Sequence, residues 1–157
     1  MSTHHVASVP VPYTYSFRLT FQIQESHVEL VGTQRVAMRA SASLPGAPGE
    51  QQVGFWFELR DEKGAVLYHR ALRDPLPEGI EVFDDEKGGK IRRAPNTRKE
   101  ARFDMIVPDL PAAEDFILHG THGKPEEARR ASRQLARFPL AQLRKLAIEQ
   151  ERQTKPR

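Results

Sequence analysis

Residues 53–71 read VGFWFELRDEKGAVLYHRA, and this stretch is the strongest indication of the fold class of the chain. Its first half places large apolar side chains at every second position, Phe55, Phe57 and Leu59, which is the period of a β-strand. The polar tetrapeptide DEKG then predicts a short hairpin loop, because Gly64 adopts positive φ without steric cost. Residues 65–71 form the predicted return strand of an antiparallel hairpin.

The same period of two extends to both sides of this hairpin. Residues 17–23, FRLTFQI, alternate apolar and polar side chains and predict a half-buried strand. Alternation resumes over residues 28–42, where Gly32 predicts a bulge or bend and Arg35 falls on the polar face. Shorter strands are expected at residues 80–83, 90–94, 101–107 and 116–119.

These segments predict an all-β fold. They amount to about seven or eight strands, separated by turn signals about every 8–12 residues. Parallel sheets need intervening helices, and no segment before residue 124 has a convincing helical period. We therefore predict an antiparallel β-sandwich, immunoglobulin-like in its alternation of strands, with a closed barrel as the alternative.

Charge and composition divide the chain into three parts. Residues 124–157 contain 10 basic and 4 acidic residues, a formal charge of +6, whereas residues 1–123 carry −3. Prolines in residues 1–13 predict an extended arm, and residues 14–123 form the predicted sandwich domain. Pro125 and the two glutamates after it open a predicted helix, so residues 124–157 are expected to form a basic amphipathic helical tail.

The predicted tail helix carries a candidate partner-binding surface. Arg129, Arg133 and Arg137 are four residues apart and would share one helix face, where guanidinium groups suit phosphates or carboxylates. The apolar residues of the tail need burial against the sandwich or against a partner. The predicted partner-binding residues are Arg129, Arg130, Arg133, Leu135, Arg137, Phe138, Leu140 and Leu143.

This organisation favours a non-enzymatic interaction or assembly protein. Its tail would engage a partner protein, a second subunit or its own domain, and the opposite charges of tail and domain favour the last two. Nucleic-acid binding through the arginine-rich tail is a lesser alternative, because the domain is acidic and no nucleic-acid-binding motif is present.

The runner-up hypothesis is a small-ligand or carbohydrate-binding sandwich, or a minor hydrolase. Trp56 and Tyr68 lie on adjacent hairpin strands and form a possible ligand platform, since aromatic faces stack on ligands. The HGTHG stretch at His119 and His122 lacks the HExxH pattern of zinc proteases. No G-x-S-x-G elbow is present either, so we favour a protein without enzymatic activity and predict no cofactor or metal.

Composition excludes several further classes. The chain has no cysteine, so a disulfide framework, a thiol nucleophile and a zinc–thiolate site are excluded. No stretch approaches the roughly 18 consecutive apolar residues of a membrane span. The first residues show no basic segment followed by an apolar run, the pattern of a signal peptide. We therefore expect a cytoplasmic protein that does not bind membranes.

Overall fold

The computed structural model describes residues 13–24, 27–44, 54–75, 79–84, 88–95, 99–120 and 132–154. Over these residues the chain forms nine strands and one helix. In chain order these are β1 (Ser16–Gln24), β2 (His27–Val36), β3 (Phe55–Arg60), β4 (Val66–Leu72), β5 (Gly79–Asp84), β6 (Lys90–Pro95), β7 (Glu100–Pro108), β8 (Asp115–Gly120), β9 (Arg133–Pro139) and α1 (Leu140–Thr154). No described helix is long and apolar enough to cross a membrane.

Two antiparallel sheets pack against each other and confirm the predicted β-sandwich. Their strand orders are β2-β1-β7 and β4-β3-β8-β9, and β5 pairs with β6 in a separate hairpin. The described strands form no pairing that joins the two sheets, so they do not make the alternative closed barrel. The first strand lies in the centre of its sheet, whereas an immunoglobulin sheet has its first strand at the edge. The immunoglobulin-like assignment is therefore not confirmed.

The β3–β4 hairpin has the predicted loop. Asp61 Oδ1 accepts hydrogen bonds from the backbone N–H groups of Lys63 and Ala65, at 2.9 and 2.8 Å. Gly64 has a φ of +82°, the left-handed conformation that the sequence predicts for it. Local turn chemistry therefore fixes the register of β3 against β4.

The core lies between the inner faces of the two sheets. The apolar positions of β1, such as Phe17 and Leu19, are completely buried, as is Leu59 of β3. Phe21 and Phe116 bring rings from opposite sheets to a centroid separation of 6.0 Å. Burial of each such side chain contributes about 1.5–3 kcal/mol, so the aromatic alternation seen in the sequence supplies the main driving force for the sandwich.

A bulge in β2 exchanges the two faces of that strand. The pairing of β1 with β2 skips Val31, which confirms the irregularity predicted at Gly32. An extra residue shifts every later side chain to the opposite face. Thr33 and Arg35, which alternation places on the solvent face, therefore turn to the core side. There Thr33 is buried, and Arg35 pairs in register with Phe17.

The predicted tail helix is wrong over its described first part, because residues Arg133–Pro139 form strand β9. β9 pairs antiparallel with β8, and a second irregularity skips Leu135 in the register. Because of this irregularity, Leu135, Ala136 and Phe138 all pack against the core. Their spacing in the sequence is also typical of residues on one face of a helix. Pairing with β8 supplies hydrogen bonds and burial that outweigh the local helical preference of the sequence.

Helix α1 closes one side of the sandwich, where β2 and β9 form the edges. Its apolar face is buried in the core through Leu140, Leu143 and Ala147. At its other end the Gln150 side chain accepts a 2.9 Å hydrogen bond from the backbone N–H of Thr33, on the edge strand β2. The helix thus folds back on its own domain, one of the three outcomes predicted for the tail, and residues 133–154 complete the sandwich.

Candidate functional site

The predicted partner-binding residues do not share one surface. Arg129 and Arg130 lie outside the described residues. Arg133 and Arg137 are exposed on β9. The apolar members of the set are buried or half-buried against the core, namely Leu135, Phe138, Leu140 and Leu143. The apolar residues of the predicted surface therefore pack within the chain's own domain. Of the described members of the set, Arg133 and Arg137 are the exposed ones that a partner could contact.

Trp56 and Tyr68 lie on opposite faces of the four-stranded sheet, so they do not form the predicted common ligand platform. Tyr68 packs in the core, 5.7 Å from the Phe57 ring, and its hydroxyl donates to the carbonyl oxygen of Ser41. Burial raises the pKa of Tyr68 to about 12. Trp56 lies on the outer face, where the His119 ring stacks on it at 3.9 Å and an interplanar angle of 10°. Both aromatic rings are therefore already engaged within the chain.

A buried carboxylate, that of Glu58, organises the outer face of the four-stranded sheet. Its side chain has no exposed surface. Oε1 of Glu58 accepts a hydrogen bond from Arg60 Nη2 at 2.5 Å and lies 3.1 Å from His119 Nε2. Trp56, Glu58 and Arg60 occupy every second position of β3, and the neighbouring strand β8 supplies His119. Strand alternation and sheet pairing together bring the four side chains into one cluster.

The electrostatics of this cluster favour an ionised Glu58. Burial raises the pKa of Glu58, but hydrogen bonds and positive charge from His119 and Arg60 outweigh that effect, so the pKa lies below its ordinary value of 4.5. Among the described residues, Trp56 Nε1, Glu58 Oε2 and Arg60 Nε are buried without a hydrogen-bond partner. Each such atom destabilises the folded state by about 1–3 kcal/mol. Because buried polar atoms without a hydrogen-bond partner are uncommon in folded proteins, we treat this cluster as a candidate functional site.

Acid is expected to remove the contribution of Glu58 to stability. Its folded pKa lies below the ordinary value, so ionised Glu58 stabilises the folded state above about pH 4.5, and this stabilisation is lost as the pH falls through the folded pKa. In urea titrations we expect Glu58→Gln to lower the free energy of unfolding at neutral pH and to converge with the wild type as the pH falls through the folded pKa of Glu58, which lies below 4.5. Glu149→Gln, an exposed position on α1, is the control and should follow the wild type at every pH. Equal offsets for Glu58→Gln at neutral and acid pH would contradict this role.

Two exposed arginines lie on the same face of the sheet, and each pairs with an acidic side chain. Arg137 donates a 2.6 Å hydrogen bond to Asp115, while Arg60 pairs with Glu58. The arginine side chains are 37% and 50% exposed for Arg60 and Arg137, against 0% and 24% for Glu58 and Asp115. We call this surface the arginine face; it comprises Arg60, His119 and Arg137 with the carboxylates Glu58 and Asp115. Because its acids are the more deeply buried groups, the charged side chains that it exposes to solvent are mainly arginines.

Sequence reasoning found only part of this face. It singled out His119 and Arg137, but it placed Arg137 on a helix and did not select Arg60, Glu58 or Asp115. One signal was present, since a glutamate between Phe57 and Leu59 of a predicted strand is rarely buried without a charged partner. The partner could not be identified, because Glu58 and His119 are 61 positions apart and meet only through the β3–β8 pairing.

The described part of the chain contains no group of three or more His, Asp or Glu side chains that could hold a metal ion. His122 of the HGTHG stretch lies outside the described residues. Comparisons of the chain with protein-family models, curated proteins and solved structures found no match.

Proposed function

We propose that this protein is a non-enzymatic interaction protein that docks an acidic surface of a partner protein onto the arginine face. The observation that supports the proposal is the difference in solvent exposure between the positive and the negative side chains of this face. Arg60 and Arg137 are exposed to solvent, whereas the carboxylates with which they pair are more deeply buried. Guanidinium groups bind carboxylates through paired N–H donors, so acidic side chains are the complementary chemistry.

Preorganisation strengthens this argument. Each arginine is anchored by a carboxylate, and both carboxylates stand on hydrogen-bonded strands of one sheet. A side chain already held in place loses less conformational entropy when a partner binds. The fold-back of α1 adds rigidity, because it fixes β9, and with it Arg137, against the sandwich. The face is therefore suited to rapid, salt-sensitive association with an acidic protein.

Charge reversal on this face tests the proposal. We expect the wild-type chain to bind a fluorescent polyglutamate peptide and Arg137→Glu to weaken binding by about tenfold or more, about 1.4 kcal/mol. Arg18→Glu changes the net charge equally at an exposed position of the other sheet and should weaken binding less than about twofold. Fluorescence anisotropy across a salt series measures both affinities, and circular dichroism checks that each variant is folded.

Three outcomes would overturn the proposal. Equal losses in the two variants would show that net charge alone attracts the peptide. Tighter binding of an oligonucleotide, with the steep salt dependence of counterion release, would favour the nucleic-acid alternative. Concentration-dependent self-association lost in Arg137→Glu would identify a second copy as the occupant. A cytoplasmic location remains a sequence-based prediction, which rests on the lack of a signal-peptide pattern, of a membrane-spanning apolar stretch and of cysteine in the sequence.

A further inference from the structure

A separate cleft of about 370 Å³ opens where α1 meets the sandwich. Four parts of the chain build it: the residues before β1, the end of β2, the residues after β7, and α1. Its lining residues are Thr14, Tyr15, Arg35, Asp109, Pro111 and Arg144. The cleft is not part of the arginine face, so it is tested separately from the proposed function.

Arg35 is the more exposed of the two cations that line this cleft, with 49% of its side chain exposed against 39% for Arg144. The β2 bulge turns it to the core side, where its guanidinium carbon lies 3.7 Å from the centroid of the Tyr15 ring. Its Nε is 4.0 Å from Asp109 Oδ2, too far for a hydrogen bond. Within the described part of the chain the Arg35 side chain makes no hydrogen bond, and 49% of it is exposed. A stacked, partly ordered guanidinium with unused N–H donors therefore lines the cleft.

Arg144 has a different role, because its Nε and Nη2 groups are already engaged by Asp109 and the Leu110 carbonyl. Its Nε donates to Asp109 Oδ1 at 3.1 Å, and its Nη2 approaches the carbonyl oxygen of Leu110 at 3.3 Å. Asp109 is only 14% exposed and is neutralised by this pairing. Two arginines against one aspartate leave a formal charge of +1 in the cleft, and Arg35 carries it toward solvent.

We propose that this cleft binds the carboxylate of a small organic acid. A carboxylate is planar and singly charged, so it matches both the fork of Arg35 and the single excess positive charge. A phosphate dianion would meet the fixed negative charge of Asp109 at the same place. The Thr14 hydroxyl adds a possible donor, while Tyr15 and Pro111 supply apolar contact for the body of the acid. The volume lies at the lower end of the range of about 300–1,000 Å³ for small-molecule sites.

Benzoate and benzamide form a matched pair of probes, because they share size and shape and differ in charge. We expect benzoate to shift the NMR signals of the Arg35 side chain and the Tyr15 ring, with a Kd of about 1 mM, and benzamide to leave them unchanged. Arg35→Gln should weaken benzoate binding by about tenfold or more. Arg39→Gln, an exposed position outside the lining, is the control and should bind as the wild type does. Thermal unfolding of each variant separates lost binding from lost folding.

Asp109→Asn gives a second, opposite readout. Removing its negative charge should tighten benzoate binding and allow inorganic phosphate to bind, which a merely structural role for Asp109 would not do. Equal shifts with benzamide, or unchanged benzoate affinity in Arg35→Gln, would overturn the assignment. Tighter binding of phosphate to the wild type would overturn the carboxylate class. Preference for a peptide with a free C-terminal carboxylate over both benzoate and its C-terminal amide would overturn the assignment to a small acid.

Discussion

Removal of residues 124–157 is expected to unfold the whole domain. The deletion takes away β9, which pairs with β8 along its full length, and α1, which covers the core from the side. Each of the buried leucines Leu140 and Leu143 contributes about 1.5–3 kcal/mol, and the exposed edge of β8 adds unpaired backbone groups. These losses are comparable to the 5–15 kcal/mol that separates most folded domains from their unfolded chains.

Circular dichroism and the dispersion of amide NMR signals measure this outcome directly. The 1–123 chain should show no cooperative thermal transition, whereas the full-length chain should show one. Addition of a peptide covering residues 132–157 should restore dispersed signals, because the missing strand and helix pair with the same edge. A folded, monomeric 1–123 chain would contradict the placement of β9 and α1 in the sandwich.

Leu143→Ala is expected to have the largest effect of any single truncation in α1. Leu143 is completely buried, and large-to-small substitutions in such positions cost about 2–5 kcal/mol through lost transfer energy and a residual cavity. The midpoint of thermal unfolding should fall by many degrees, since about 1 kcal/mol shifts it by roughly 2–4 °C in a domain of about 150 residues.

Ile148→Ala provides the matched control on the same helix. Ile148 is 51% exposed, so its truncation should change the free energy of unfolding by no more than about 0.5 kcal/mol. Both substitutions also change helix propensity in the same favourable direction, which leaves burial as the difference between them. If the two variants were equally stable, α1 could not be packed against the core as described.

These stability tests bear on function, because they separate two roles of the C-terminal segment. Its apolar side chains hold the sandwich together, and its arginine at 137 belongs to the arginine face. A variant that loses partner binding through unfolding says nothing about that face. Arg137→Glu is informative, since its side chain is half exposed and its pairing with Asp115 lies at the surface, where ion pairs contribute little to stability.

Elements with local signals could be predicted from the amino-acid sequence. The β3–β4 hairpin follows from alternation on both sides of a DEKG loop, and the bulge near Gly32 follows from a glycine inside an alternating strand. The helix after Pro139 was also predictable, because its leucines repeat with a helical period. Period and turn chemistry are properties of neighbouring residues, so they can be recognised without knowledge of the rest of the chain.

Tertiary structure alone decided the points on which function depends. Leu135 and Phe138 fit a helical face and a bulged strand equally well, and the edge of β8 selected the strand by offering hydrogen bonds and core burial. The β2 bulge turned Arg35 toward the cleft, against the simple alternation of its strand. Glu58 met His119 through a long-range strand pairing. Such choices depend on residues far apart in the chain, whose proximity exists only after the sheets have formed.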